Sequence, residues 1–217
     1  MLRLVCATLV LLALPLLPAT AQLSGDLGIS VGFNASTLHS STDDGLGFRS
    51  SAVGGFYGQL DVVGPVDLRS DLLFSQKGVA VSGDQAELIY QANYLELPVL
   101  IRSRLPVLDQ FDLRLMAGPA VALKIFEQQT FRRSTINVPV ENAPFFERTD
   151  LGVTVGAAAN LGTDDVPLGL DVRYTLGLVD ATRSVGEQTG NIPAFPESGR
   201  NGALTVLLSF RITGGNS

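Results

Sequence analysis

The chain has 217 residues, a formal net charge of −6, 46% hydrophobic residues, 23 glycines, a single cysteine and no tryptophan. It carries no basic block, so nucleic acid is not an expected partner. Beyond the N-terminus it has no apolar run long enough for a transmembrane helix, which leaves a soluble domain or a membrane-spanning barrel.

Residues 1–21 read as a cleaved secretory signal. Arg3 supplies the positive n-region, Leu4 to Leu17 is apolar, and Ala19-Thr20-Ala21 is a small-x-small cleavage site. Cys6 lies within that signal, so residues 22–217 have no disulfide or thiol chemistry. Loss of Arg3 makes the remaining domain one charge more negative.

The rest of the chain alternates apolar and polar residues with a period of two, the mark of strands lying between two media. The first strand runs from Gly25 to Ala35, the second from Ser50 to Val63 and the third from Val66 to Val79. Gly64-Pro65 is a tight turn. The fourth strand ends at Arg104 and contains Asn93-Tyr94-Leu95-Glu96-Leu97-Pro98-Val99-Leu100-Ile101-Arg102. Pro98 removes a backbone donor there, so a local break or bulge is expected. The fifth strand spans Phe111 to Ile125, the sixth Leu151 to Leu161, the seventh Leu168 to Leu178 and the eighth Ala203 to Ile212.

Connections alternate in length. Long or polar loops are expected near 37–49, 80–88, 127–149 and 180–200, and short turns near 63–66, 103–110 and 163–166. Eight strands with that alternation predict an all-β, antiparallel, up-and-down transmembrane β-barrel, with periplasmic turns and extracellular loops. A soluble barrel would show eight alternating strands too. The polar faces here are rich in Gly, Ala, Ser and Thr with charges of both signs, which fits a crowded small lumen better than a water-facing surface.

Parity assigns the side chains. Arg69, Asp71, Lys77, Glu96, Arg102, Asp112, Arg114, Lys124, Asp171, Arg173 and Arg211 are expected in the lumen as a structural charge network. Leu95, Leu97, Val99, Ile101, Leu113, Leu115, Leu170, Val172, Leu204, Val206, Leu208 and Phe210 are expected to face lipid. Phe33, Phe74, Phe111, Tyr174 and Phe210 are candidates for an interfacial aromatic girdle.

The run Asn93 to Leu100, the Ala117-Gly118-Pro119 step and the signal together resemble the outer membrane beta-barrel domain family, PorT-like and of the OmpA and OmpX type. The resemblance implies an integral outer-membrane protein of a Gram-negative cell. It implies no shared activity, although PorT belongs to a secretion system. The last strand, with Phe210 and Ile212, is similar to the segment that barrel assembly machinery recognises, apart from its short tail Thr213 to Ser217.

Catalytic and metal sites are not expected. His39, the single histidine, stands near Ser40, Ser41, Asp43 and Asp44, the elements of a rim active site but equally of a solvated loop. Asp43-Asp44 and Asp164-Asp165 lack the spaced oxygens of a calcium loop. Arg132-Arg133 reads as a solvated pair or a contact for lipopolysaccharide phosphates. No cofactor motif is present. The expected role is structural or loop-mediated binding around a lumen filled by side chains. The alternatives are a small-solute or ion transport barrel and an accessory component of a secretion system.

Overall fold

A computed structural model describes residues 25–39, 46–82, 87–106, 112–133, 136–139, 146–162, 167–181 and 199–213. The expected signal and Ser40 to Asp44 lie outside these residues. The described strands are β1 (Gly25–His39), β2 (Leu46–Gly47), β3 (Arg49–Val63), β4 (Val66–Ser82), β5 (Glu87–Arg104), β6 (Leu113–Arg133), β7 (Ile136–Pro139), β8 (Thr149–Asn160), β9 (Leu168–Gly177) and β10 (Arg200–Thr213).

Eight long strands pair antiparallel in the order β4-β3-β1-β10-β9-β8-β6-β5, and β4 pairs with β5 to close the ring. First and last strands are therefore neighbours, with Ile29 opposite Phe210. Closure leaves no free edge among the eight, which is what allows a sheet to sit in an apolar medium. At the turn end, Gly64 has φ +55° between β3 and β4, a left-handed conformation that favours glycine.

Burial follows the pleat. On β4, Asp67, Arg69, Asp71, Leu73, Ser75 and Lys77 are buried, while Leu72 and Phe74 are exposed. On β10, Ala203, Thr205, Leu207 and Ser209 are buried, while Leu204, Leu208 and Phe210 are exposed. The inward leucines share one device. Gly32 lies opposite Leu207 and Gly55 opposite Leu73 in the ladders. A Cβ on Gly32 would lie 1.8 Å from the Val206 carbonyl oxygen, so only glycine fits so tight a strand approach. Pairing large with small side chains is how a narrow lumen is filled without overpacking.

The β4–β5 register is continuous past Pro98, but pairing lapses where Asp71 and Leu72 face Leu97 and Pro98. On the other side Pro98 pairs with Ala120, and the lapse falls at Val99 and Leu100, opposite Gly118 and Pro119. The interruption is thus a break without a bulge. The bulge of this hairpin lies elsewhere: Asn93 pairs with Phe126 and Tyr94 with Lys124, so Ile125 is extra. Ile125 and Phe126 both face outward in consequence.

Three expected loops are shorter than the sequence pattern suggests; near 37–49, β1 runs on to His39 and β3 starts at Arg49. Residues 127–149 read as a loop, yet β6 continues to Arg133 and folds back onto β7. Residues 80–88 likewise carry β4 to Ser82 and start β5 at Glu87. Ladder hydrogen bonds need no apolar–polar alternation, so a strand can run on past the point where that pattern stops.

Candidate functional site

The lumen is the one interior of this fold, and its polar side chains fall into separate clusters. Near the turn end, Asp67 accepts from Arg102 at 2.5 Å and also from Arg114. Arg114 bonds in turn to Asp112 at 3.0 Å, and Arg104 reaches Asp112 at 2.8 Å from the exposed rim. Two carboxylates thus hold three guanidiniums. Arg211 pairs with Asp26 at 3.5 Å, but with a side chain 39% exposed it belongs to the mouth and not to the interior network parity suggested. Arg211 pairs with Gly28 beside the register shift at Leu27/Gly28 that ends the β1–β10 ladder, and parity cannot register that.

One level deeper is a closed quartet. Arg69 bonds Asp71 at 2.9 Å and Asp171 at 3.2 Å, and Arg173 bonds Asp71 at 2.9 Å and Asp171 at 2.8 Å. All four side chains are at most 3% exposed. Ser30 and Ser209 each accept from Arg69 at 3.0 Å, and the Tyr57 ring lies 3.9 Å from its guanidinium carbon. Two cations and two anions held this way satisfy one another, which removes most of the cost of burying any of them. A cavity of about 110 Å³ opens at the turn end, with Tyr57, Arg102, Arg114 and Arg211 in its wall, and reaches inward to Arg69 and Asp171.

Along the strands an apolar layer comes next. Leu100 and Leu207 are 0% exposed and Leu73 is 3% exposed, and they pack with Val53, Met116 and Ala158 in two clusters. Beyond them, toward the loop end, Lys77 bonds Glu96 at 2.6 Å and lies 3.9 Å from Asp150, which accepts from Asn201 at 2.8 Å. Lys124 pairs with Glu127 at 2.7 Å and donates to the Phe146 carbonyl.

Each lumen residue named from sequence therefore sits in a pair, although the pairs form several networks and not one. Asp67 was missed despite sharing the parity of Arg69 and Asp71. Asp150 was missed because it falls one residue before the readable strand. Glu127 was hidden by the bulge at Ile125, which brings it to the same side as Lys124. On the outer face, Leu95, Leu97, Ile101, Leu115, Val172, Leu204, Leu208 and Phe210 are exposed, and Val99, Leu113, Leu170 and Val206 are half-buried.

His39 ends β1 on the outer face, and its Nε2 shares a hydrogen bond of 2.8 Å with the Tyr174 hydroxyl. No described serine or carboxylate bonds it, so no triad geometry is assembled among the described residues. No cluster of three metal-ligating side chains occurs among them.

A closed eight-stranded ring, apolar outside and ion-paired inside, is the arrangement a lipid-embedded barrel requires. The family model described as outer membrane protein beta-barrel domain matches residues 20–183. The chain belongs to this family. Its place is therefore the outer membrane, with the bilayer as its surroundings. No curated protein matches it. Among solved structures, Neisserial surface protein A is 10% identical with a TM-score of 0.45, covering 86% of this chain and 97% of that one. Ail, the attachment invasion locus protein of Yersinia pestis, is 11% identical with a TM-score of 0.39, covering 87% and 99%. The translocator domain of the autotransporter NalP from Neisseria meningitidis is 11% identical with a TM-score of 0.37, covering 97% and 98%. Likenesses this distant say nothing about the role of this family member.

Proposed function

We propose that this outer-membrane barrel is a structural or binding scaffold whose lumen is closed by its own side chains and whose specificity lies in the loops. The observation carrying this reading is the layer of Leu73, Leu100 and Leu207 lying between two ion-paired clusters. A solute would have to displace packed leucines and then part the Arg69–Asp71–Arg173–Asp171 quartet. That is why we prefer a scaffold to a transport barrel. An eight-stranded barrel has an interior only just wide enough for side chains.

In this reading the exposed apolar residues of the outer face contact lipid. Residues 1–21 are removed on export, and the barrel assembly machinery inserts the domain. The turns at Gly64-Pro65, 103–110 and 163–166 are periplasmic, and the loop end is extracellular. His39 has no catalytic role. Loops on a rigid scaffold are where binding is usually placed.

Protease-site insertion tests the orientation. A site placed within 182–198 is expected to be cut on intact cells, and one within 163–166 only after the outer membrane is broken. Cleavage at 163–166 on intact cells would reverse the orientation. Recovery of the protein in the supernatant after membrane pelleting would overturn the scaffold reading altogether.

A further inference from the structure

Among the described residues, the outer face carries a polar cluster that neither lumen packing nor an apolar lipid contact explains. His39 and Arg200 are direct partners in the β1–β10 ladder, where the first loop leaves the barrel and the last returns to it. Residues directly opposite in a ladder have Cβ atoms roughly 5 Å apart. Both side chains are exposed. His39 reaches across β10 to Tyr174 on β9, with 2.8 Å between Nε2 and the hydroxyl.

The strand beneath is cleared for this contact. Gly202 lies between the two, and a Cβ there would stand 2.4 Å from His39 Nε2 and 2.9 Å from the Tyr174 hydroxyl oxygen. Arg200, two residues along on the same face, forms no ion pair with any described residue. On that face the exposed Leu204 lies below Gly202 on β10, while the exposed Leu176, ladder partner of Gly202, and Leu178 continue β9 past Tyr174 toward the loop end. The group thus sits on the last described rungs of the outer face at the loop end. In a lipid-embedded barrel the rim at the loop end is where hydrocarbon gives way to headgroups, and where amphipathic aromatic and basic side chains settle.

We infer that His39, Tyr174 and Arg200 form a binding site for the phosphate of a lipid in the leaflet at the loop end. The imidazole and the phenol share one hydrogen bond, which leaves the pair one donor beside the Arg200 guanidinium, and a phosphate offers the oxygens to accept from both. Arg200 supplies the charge-assisted bonds that give such a contact most of its strength. The Tyr174 hydroxyl fixes the imidazole across the strand. This inference rests on the reading that the outer face contacts lipid.

His39 is the only histidine, so isotope-labelled histidine gives a single imidazole reporter. The folded protein in detergent micelles is titrated with diphosphorylated lipid A and, separately, with the same lipid stripped of phosphate. The phosphorylated lipid is expected to shift the His39 resonance and the stripped one to leave it in place. Arg200→Gln is expected to weaken the response about tenfold, the size of one lost hydrogen bond to a charged group. Gly202→Ala, which drives the imidazole off Tyr174, is expected to abolish it, and Arg148→Gln, at an exposed arginine on β8's approach, to leave it unchanged. An unmoved resonance, or equal shifts with both lipids, would overturn the site. Heat-modifiable gel migration and co-flotation with vesicles, run on the same samples, separate that outcome from failure of the barrel to be a membrane protein at all.

Discussion

Single side chains in this lumen matter in proportion to their burial and not to their charge. Asp67 holds both Arg102 and Arg114, and its side chain is 3% exposed. Asp67→Asn leaves the buried Arg102 without a carboxylate and Arg114 with Asp112 alone, so a loss of about 3–5 kcal/mol is expected in urea unfolding of the detergent-folded protein. Asp26→Asn breaks the exposed 3.5 Å pair with Arg211 and is expected to cost under about 1 kcal/mol. Equal losses at the two positions would show that lumen burial is not what sets the cost. Parity along each strand was enough to place Arg69, Asp71 and Arg173 inside. It could not say that Arg173 of β9 would meet Asp71 of β4, because that contact crosses the barrel and no local pattern encodes it.

Elements are decided by register and close approach. Gly32→Ala would put a methyl 1.8 Å from the Val206 carbonyl, so the two strands must part, at a cost of about 1–3 kcal/mol or more. Pro98→Ala is different. Pairing already lapses at Pro98 on the β4 side, so restoring a donor is expected to change stability by less than about 1 kcal/mol. Urea midpoints of both variants check this, and a large gain from Pro98→Ala would mean that proline alone causes the break. All eight long strands were visible in the sequence, because each has one face in apolar surroundings. The extensions of β4, β5 and β6 toward the loop end, and the β7 hairpin, were not visible, because the apolar–polar alternation read along the chain stops before the ladder hydrogen bonds do. The bulge at Ile125 was invisible too, since one inserted apolar residue among apolar neighbours leaves no mark.

For the molecule as a whole, closure and filling are linked. Eight strands fix a narrow ring, and in its apolar layer glycine stands opposite the inward leucines, as at Gly32 with Leu207 and Gly55 with Leu73. The family and compartment could be read from the Asn93 to Leu100 run together with the strand alternation. The closed lumen could only be anticipated, since the sequence shows which residues point inward but not how far they reach. The same limit hid the outer His39–Tyr174 contact, which joins strands 135 residues apart in the chain. Purified, heat-modifiable protein in a planar lipid bilayer tests the filled lumen most directly. Packed Leu73, Leu100 and Leu207 predict no discrete conductance steps under applied voltage, whereas reproducible ohmic steps from the folded protein would contradict a lumen closed by its own side chains.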